Sequence, residues 1–521
     1  MATTAYDDVG YPGGVFVQTH PARLAAIARL HGVPAASPAE CRVLEIGTAD
    51  GGNLLPLALT YPRSEFVGCD LAGSAVARGL ADRDALGARN LTLLTADLCT
   101  LPDSLGPFDY VIAHGVFSWV PEPVRDGLLA LCRRTLAPHG VAYLSYNALP
   151  GGYVSQMLAD MMKYHVRRMP DPSEQIGQAR MLMKVVADGT NVPGPMGEMY
   201  KAEARKVIDT FGDAVLYHDD LAAVTRRYYF HEVATLADRH GLRFLGEADY
   251  HEMTNLAFPP VAAAVLDNFA KNDRIQEEQY RDFLCLRRFR QTLFVKNEVE
   301  VERPARTAEV ATFHVFAPPL TPERPDPDYT PGVNVAFDTA KGSRVTLDHP
   351  LAKAVLYALA EAPNRPVPVA DVIAAAARRV GTDPVDVSAE ARNAVLAMLF
   401  QAFQVGLVHL AVDPPIFPRR AGPKPRLWPL ARHKLEAGSK TVPTLRHNMV
   451  DLETPVTRQL VLACDGTRDR DAILDRVTDW AASQPPVDGQ PARTRDEIRA
   501  GFAADLEGGL QKAADLGLLV E

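Results

Sequence analysis

A glycine-rich turn near the start of the chain constrains the fold more than any other stretch. Residues 42–46 have the apolar character of a buried strand, and Gly47 and Gly51 lead from it into an apolar helical segment, 53–59. Glycines let the backbone approach a ligand closely, and the free N–H groups of a helix start point at it. Asp70, about 20 residues further on, closes the next apolar run and suits a ribose. The stretch predicts a nucleotide-type cofactor on a doubly wound α/β sheet.

The spacing within this turn indicates which cofactor. The pattern is Glu-x-Gly-x-x-x-Gly, from Glu45 through Gly47 to Gly51. It differs from the dinucleotide pattern Gly-x-Gly-x-x-Gly, because Ala49 stands at the middle glycine position. A carboxylate at the end of the first strand suits a ligand that carries an ammonium group. S-adenosylmethionine is such a ligand.

Later strand ends agree with this interpretation. Asp97 follows a third apolar run, where a carboxylate can accept a hydrogen bond from an adenine amine. A fourth run, 108–113, leads into His114, and a fifth, 141–146, ends at Asn147. In open α/β sheets ligands bind outside the carboxyl ends of the strands, so these residues are expected on one rim. Together the strand ends predict a class I methyltransferase.

Composition excludes several other classes. The chain has 521 residues, 47% of them hydrophobic and 23% charged, with a net charge of −9, so no general attraction to nucleic acid or anionic membranes is expected. No apolar run approaches the roughly 18 residues of a membrane span, and the six cysteines form no Cys-x-x-Cys pair. We therefore expect a cytoplasmic protein. The P-loop, His-Glu-x-x-His and Gly-x-Ser-x-Gly motifs are absent, and no metal site is predicted.

The catalytic half is predicted to be interrupted. Residues 1–40 are expected to form a lid over the cofactor or, equally, a helix packed on the sheet edge. The cofactor-binding core is placed at 41–150, and a methionine-rich helical insertion at 151–230 suits either core and dimer contacts or a substrate groove. Strands at 241–247 and 289–295, within a segment 231–300, would complete a mostly parallel seven-stranded sheet.

The C-terminal half is predicted to hold two similar modules. Residues 301–341 are rich in proline and are interpreted as a linker or an extended crossing. The modules, 342–411 and 446–521, each show a winged-helix-like order of three helices and a short strand. The first has equal numbers of basic and acidic residues and the second an acidic excess, so DNA binding is not expected. The connector between them, 412–445, is basic and is interpreted mainly as a solvated linker on an acidic face.

The whole chain resembles bacterial methyltransferases that carry a methyltransferase regulatory domain, a family similar to the lysine methyltransferases of outer-membrane proteins. The resemblance rests on these strings: 19–21, 43–57, 113–121, 145–151, 216–221, 241–248, 278–284, 287–293, 427–432 and 464–470. It implies S-adenosylmethionine as the cofactor, S-adenosylhomocysteine as the product, and transfer to lysine side chains of a protein.

Site residues follow from the rim and from the resemblance. Cofactor-binding residues are predicted to be His20, Glu45, Gly47, Thr48, Gly51, Asn53, Asp70, Leu71, Asp97, Leu98, His114 and Gly115. Tyr11, Trp119 and Tyr146 are the catalytic candidates, because aromatic faces can hold the ammonium of an acceptor lysine. His114 or His20 could relay its proton. Asp219 and Asp220 are interpreted as helix N-cap residues.

Two other functions remain open at this point. One is a small-molecule methyltransferase, which would need a closed, apolar pocket rather than a channel wide enough for a peptide. The other is an interaction protein that retains the fold without catalysis. A homodimer is a further hypothesis, based on the methionine-rich insertion.

Overall fold

The computed structural model describes residue 10 and residues 13–271, 273–485 and 493–521. A seven-stranded sheet forms its centre, in the order β3-β2-β1-β4-β5-β7-β6. Only β7 runs antiparallel to its neighbours among the described strands of this sheet. The strands are β1 (Arg42–Ile46), β2 (Glu65–Asp70), β3 (Leu91–Thr95), β4 (Phe108–Ala113), β5 (Leu136–Asn147), β6 (Leu242–Glu247) and β7 (Phe289–Lys296). The predicted class I methyltransferase sheet is confirmed.

Helices cover both faces of this sheet because successive strand residues point to opposite sides. Val43 of β1 belongs to a core on one face, whereas Leu44 and Ile46 belong to a core on the other. The first four helices are α1 (Pro21–Leu30), α2 (Leu54–Thr60), α3 (Gly73–Leu86) and α4 (Glu122–Thr135). α1 and α2 pack on the Val43 face, and α4 packs on the opposite face.

The insertion between β5 and β6 is helical, as predicted. Its helices are α5 (Tyr153–Val166), α6 (Pro172–Gly189) and α7 (Gly194–Thr210), followed by a short segment, Asp213–Val215, that continues into a π-turn, Leu216–Asp220. Leu158, Met162 and Met183 are buried in a core that the insertion does not share with the sheet. Met157 and Met196 are exposed instead, so the methionines divide between core and surface.

The remainder of the sheet packs against α8 (Phe230–Arg239), and α10 (Arg274–Cys285) packs against both α8 and α9 (Pro260–Ala270). A network of buried charges ties α10 to β6 and β7. Arg290 of β7 is completely buried, and its guanidinium contacts Glu247, Glu278 and Asp282. Arg281 neutralises Glu278 from the same helix. Buried charges of this kind are tolerated only when each is paired and hydrogen-bonded.

The proline-rich segment 301–341 is folded, so the linker interpretation is wrong, whereas an extended crossing remains compatible with its short strands. It contributes β8 (His314–Phe316), β9 (Leu320–Pro322) and β10 (Val335–Thr339), and Val315 and Phe337 are buried. The prolines lie mostly outside these short strands, so the apolar residues between them can pair. The rest of this first module is β11 (Arg344–Leu347), α11 (Pro350–Ala360), β12 (Val367–Pro368), α12 (Val369–Arg379), α13 (Ala389–Gln404) and β13 (His409–Ala411).

The second module begins inside the basic connector, which is largely folded rather than solvated. It consists of α14 (Pro429–Glu436), a hairpin of β14 (Thr441–Pro443) and β15 (Met449–Asp451), α15 (Pro455–Ala463), α16 (Arg470–Ala482) and α17 (Arg495–Asp515). His433 and Lys434 of α14 both contact Asp82 of α3. Both modules share one continuous core with the Val43 face of the sheet. Among the described residues, no helix is long and apolar enough to cross a membrane.

Candidate active site

The turn after β1 has the backbone shape that the glycine pattern predicted. Gly47, Ala49 and Gly51 adopt left-handed φ values of 73°, 49° and 71°. The N–H of Gly47 donates to the carbonyl of Cys69 at 2.9 Å, which fastens the turn to the end of β2. A Cβ at Gly47 would lie 2.6 Å from Cγ2 of Val116, so the loop after β4 packs directly on this turn. Only glycine combines this φ with this close approach at low cost.

Glu45 fixes the turn from beneath. Its side chain is buried, and its two oxygens accept hydrogen bonds from Thr48 Oγ1 at 2.8 Å and Asn53 Nδ2 at 2.7 Å. Burial raises the pKa of Glu45 to about 7, although both hydrogen bonds oppose that shift. Glu45 also lines the cavity described below.

Two further strand-end carboxylates point toward the same space. Asp70 accepts hydrogen bonds from the N–H groups of Ala49 and Ala72, both at 2.8 Å. Asp97 accepts from the N–H of Cys99 at 2.9 Å. Backbone donors thus orient each carboxylate and leave it lone pairs for a ligand. Both residues line the cavity, which is the arrangement that ribose and adenine recognition requires.

A single cavity of about 760 Å³ lies over the carboxyl ends of the strands. At one end it is lined by the glycine turn, the strand-end carboxylates and the N-terminal segment: Gly13, Gly14, Phe16, Glu45, Gly47, Thr48, Asn53, Asp70, Leu71, Asp97, Leu98, His114 and Gly115. At the other end it is lined by the helical insertion and the start of β7: Ser155, Leu158, Glu203, Lys206, Val207, Phe211, Asp219, Asp220, Arg227, Arg288 and Phe289. Trp119 and Asn147 also line the cavity.

Asp219 and Asp220 lie at the insertion end of this cavity and are not helix N-caps, which corrects the prediction. They end the π-turn Leu216–Asp220, and this turn carries both carboxylates toward the cavity. Burial and the Asp220 carboxylate raise the pKa of Asp219 to about 7. Burial raises the pKa of Asp220 to about 6, against the opposing effect of Arg227 and Lys163. Oδ2 of Asp220 is buried and has no hydrogen-bond partner among the described residues.

Such a pair of carboxylates is suited to a cationic ligand. An opposite charge placed beside them would lower both pKa values and satisfy the open oxygen. Sequence reasoning missed this role because nothing local distinguishes Asp219-Asp220 from a cap. The one available signal was that both residues lie in the string 216–221, which carries part of the family resemblance.

The loop after β4 supplies Trp119 and His114. Trp119 lines the cavity, and its indole Nε1 is buried without a partner in the part of the chain that the structure describes. His114 Nδ1 lies 3.0 Å from the hydroxyl of Tyr143, which itself donates to Gln291. Nδ1 therefore carries the proton, and Nε2 is the acceptor. Burial lowers the pKa of His114 to about 4, so the ring is neutral at pH 7.

Several predicted site residues are not part of the cavity. Tyr146 is completely buried between Phe117 and Tyr228, and its hydroxyl bonds Thr292, because its position in β5 points it into the core below the rim. His20 is a buried N-cap of α1.

Gly51 and Tyr11 are the two remaining predicted residues. Gly51 shapes the turn, but Gly52 rather than Gly51 lines the cavity. Tyr11 lies outside the described residues. Of the N-terminal segment, Gly13, Gly14 and Phe16 line the cavity, whereas α1 packs on the Val43 face of the sheet. Phe16 was not predicted; its ring lies 4.1 Å from that of His114.

Fold and site together define a class I S-adenosylmethionine-dependent methyltransferase. Three family models match the chain: a methyltransferase domain over residues 43–140, a predicted methyltransferase regulatory domain over 212–296, and a PKMT C-terminal winged helix domain over 423–518. The chain belongs to the family of bacterial S-adenosylmethionine-dependent methyltransferases that carry a methyltransferase regulatory domain. Its cofactor is S-adenosyl-L-methionine.

Relatives match over most of their length. The uncharacterized protein RP789 of Rickettsia prowazekii is 29% identical over 528 residues, covering 99% of this chain and 93% of the relative. RP028 of the same organism is 32% identical over 242 residues, covering 46% of this chain and 96% of the relative. Among solved structures, PKMT2 from Rickettsia typhi is 26% identical with a TM-score of 0.85, covering 98% of this chain and all of that one. The same protein in complex with AdoHcy gives a TM-score of 0.83.

Proposed function

We propose that this enzyme transfers methyl groups to lysine side chains of a protein substrate. The observation that supports this most is the buried Asp219–Asp220 pair at the end of the cavity opposite the glycine turn. An acceptor lysine enters as an ammonium ion with a reference pKa of about 10.4, and it must lose a proton before it can attack. Two carboxylates with raised pKa values can bind the cation and accept that proton.

We assign the cofactor end of the cavity as follows. Asp70 holds the ribose hydroxyls, Asp97 and Leu98 hold the adenine, and Glu45 fixes the turn beside the methionine portion. The backbone of the glycine turn approaches the ligand closely. When bound, S-adenosylmethionine supplies an electrophilic methyl group on a sulfonium. The work of the protein is then mainly alignment and exclusion of water.

Between the two ends, Trp119 and His114 take the remaining roles. The Trp119 ring provides an aromatic face for the ammonium, and its buried Nε1 provides a donor for the substrate. His114 presents a neutral Nε2 as an acceptor. Arg288 lines the cavity, and its guanidinium is held by both oxygens of Glu203.

Methyl-labelled S-adenosylmethionine incubated with the enzyme and a lysate of its host tests the proposal. We expect labelled protein bands, and methyl-lysine after acid hydrolysis. Label that appears only in the small-molecule fraction would replace the proposal with a small-molecule acceptor. Binding of S-adenosylhomocysteine without any transfer would favour an interaction protein.

Asp70→Ala tests the cofactor assignment separately. We expect the dissociation constant of S-adenosylhomocysteine to rise at least about 100-fold, because two charge-assisted hydrogen bonds to the ribose are lost. Isothermal calorimetry measures the change. Asp84→Ala is the matched control, since Asp84 is an exposed carboxylate paired with Arg83 on α3. An unchanged affinity in Asp70→Ala would remove Asp70 from the site.

The cellular compartment and the oligomeric state of the enzyme are also proposals. All six cysteines are free thiols, as a reducing cytoplasm would leave them. Exposed Met157, Met181, Met196 and Met199 give the insertion an adaptable apolar surface, on which we base a homodimer. Analytical ultracentrifugation at micromolar concentration would show a mass of one chain if the homodimer is wrong.

A further inference from the structure

The side chain of Asn53 is bonded to three other parts of the chain: the N-terminal segment, the end of β1 and the β14–β15 hairpin. Its Oδ1 accepts from the N–H of Phe16 at 2.9 Å and from Nε2 of His447 at 2.9 Å. Its Nδ2 donates to Glu45 Oε1 at 2.7 Å and to Thr19 Oγ1 at 3.0 Å. The amide therefore makes all four hydrogen bonds that its chemistry permits. Its orientation is fixed by these partners, because the backbone N–H of Phe16 can only donate and therefore needs the amide oxygen.

His447 is the partner that comes from the C-terminal winged-helix module. It lies in the turn of the β14–β15 hairpin with a φ of +54°, 394 residues away from Asn53 in sequence. The ring is buried and stands 5.1 Å from the ring of His20. Burial lowers the pKa of His447 to about 3, so the imidazole is neutral at physiological pH. Because Asn53 Oδ1 is an acceptor, Nε2 of His447 carries the proton and donates.

The contact matters for the cavity because Asn53 holds two of its walls. Asn53 and Glu45 themselves line the cavity, and Glu45 fastens the glycine turn through Thr48. Phe16 lines it as well, and the bond from its N–H to Asn53 places the ring against His114. Loss of the His447 donor leaves Oδ1 with the N–H of Phe16 as its one remaining partner, which weakens the hold on the amide.

We propose that His447 is a positioning residue through which the C-terminal winged-helix module completes the cofactor site. It locks the Asn53 amide, and the amide in turn holds the N-terminal segment and the glycine turn in their binding positions. The module is then a structural part of cofactor binding rather than only a surface for other proteins.

His447→Leu in the full-length chain tests this role. We expect the dissociation constant of S-adenosylhomocysteine, measured by calorimetry, to rise about three- to tenfold, the effect of one buried hydrogen bond. His447→Gln should restore affinity to within about twofold, since its amide NH₂ can occupy the place of Nε2. His447→Asn is too short to reach Asn53 and should behave like His447→Leu, which keeps the test usable if the leucine variant fails to fold.

Asp82→Asn is the matched control. It disrupts the contacts of Asp82 with His433 and Lys434, by which the same module docks on α3 without touching the cavity. We expect no change in S-adenosylhomocysteine affinity for this variant. Equal losses in Asp82→Asn and His447→Leu would mean that docking in general, not the Asn53 bond, supports the site. Wild-type affinity in His447→Leu, or equal affinities in the leucine and glutamine variants, would overturn the proposal.

Discussion

Asp219→Asn is expected to lower the initial rate of methyl-lysine formation at limiting acceptor by about 10²- to 10³-fold, the usual range for loss of a positioned base. The variant removes the charge that would hold the acceptor ammonium and the site that would take its proton. Asparagine keeps the size of the side chain, so the cavity changes little. The dissociation constant of S-adenosylhomocysteine should remain within about twofold, because Asp219 belongs to the insertion, whereas the residues assigned to the cofactor belong to the strand ends of the sheet.

The pH dependence gives an independent check on the same residue. The pKa of Asp219 is about 7, so the free enzyme holds the carboxyl protonated below that pH. The rate should therefore rise as pH increases through 7 in the wild type, and this limb should be missing in Asp219→Asn. Asp213→Asn is the control, because Asp213 precedes the same π-turn but is exposed and paired with Arg180. A rate within threefold of wild type in Asp219→Asn would contradict the assignment.

The same substitution should stabilise the protein. The folded-state pKa of Asp219 lies above its unfolded value near 3.8, so the folded state binds more protons between these values and stability falls as pH rises. Asp219→Asn removes the titrating carboxyl and with it this fall in stability at high pH. We expect its melting temperature to exceed that of the wild type at pH 8 and to match it near pH 4. A lower melting temperature at pH 8 would contradict this.

Arg290→Met is expected to destabilise the catalytic part by about 3–5 kcal/mol, the usual cost of removing one partner from a buried ionic network. Methionine fills much of the volume but leaves Glu247, Glu278 and Asp282 buried without this cation. In the wild type, burial raises the pKa of Glu278, but Arg281, Arg274 and Arg290 outweigh that and bring it to about 2. Without Arg290 these carboxylates would tend to take up protons instead.

Urea denaturation followed by circular dichroism measures this loss of stability. The difference in stability between Arg290→Met and the wild type should shrink from pH 8 to pH 5, because the carboxyls that have lost Arg290 become protonated. Arg344→Met is the control. Its pair with Asp338 is exposed, and exposed pairs are worth roughly 0–1 kcal/mol. If Arg290→Met and Arg344→Met unfold at the same urea concentration, the network does not stabilise the fold.

The sequence predicted the sheet and the cofactor end of the cavity because both depend on local patterns. For the first five strands, the apolar runs, glycines and strand-end acids all lie between residues 42 and 147, and the parallel topology brings the strand ends together. Tyr146 shows where this reasoning fails. Tyr146 is next to the rim in sequence but does not lie in the cavity. Side chains alternate between the two faces along β5, and the Tyr146 side chain packs on Phe117.

The acceptor end and the C-terminal contacts depend on distant packing. Asp219 and Asp220 reach the cavity only because the insertion folds back over the strand ends as a unit with its own core. No periodicity near His447 indicates that it meets Asn53. The proline-rich segment was interpreted as a linker because of its many prolines, but prolines also occur at the ends of strands.

The contact between Asn53 and His447 also affects when the enzyme becomes competent during its synthesis. Domains generally fold from the N-terminus as they leave the ribosome, at about 5–20 residues per second. The glycine turn emerges early, but its buried amide waits for a partner 394 residues later, a delay of about 20 to 80 seconds. If His447 positions Asn53 as proposed, a ribosome-bound chain carries the methyltransferase sheet with a weaker cofactor site, and full affinity for S-adenosylmethionine is reached only after translation has passed the hairpin.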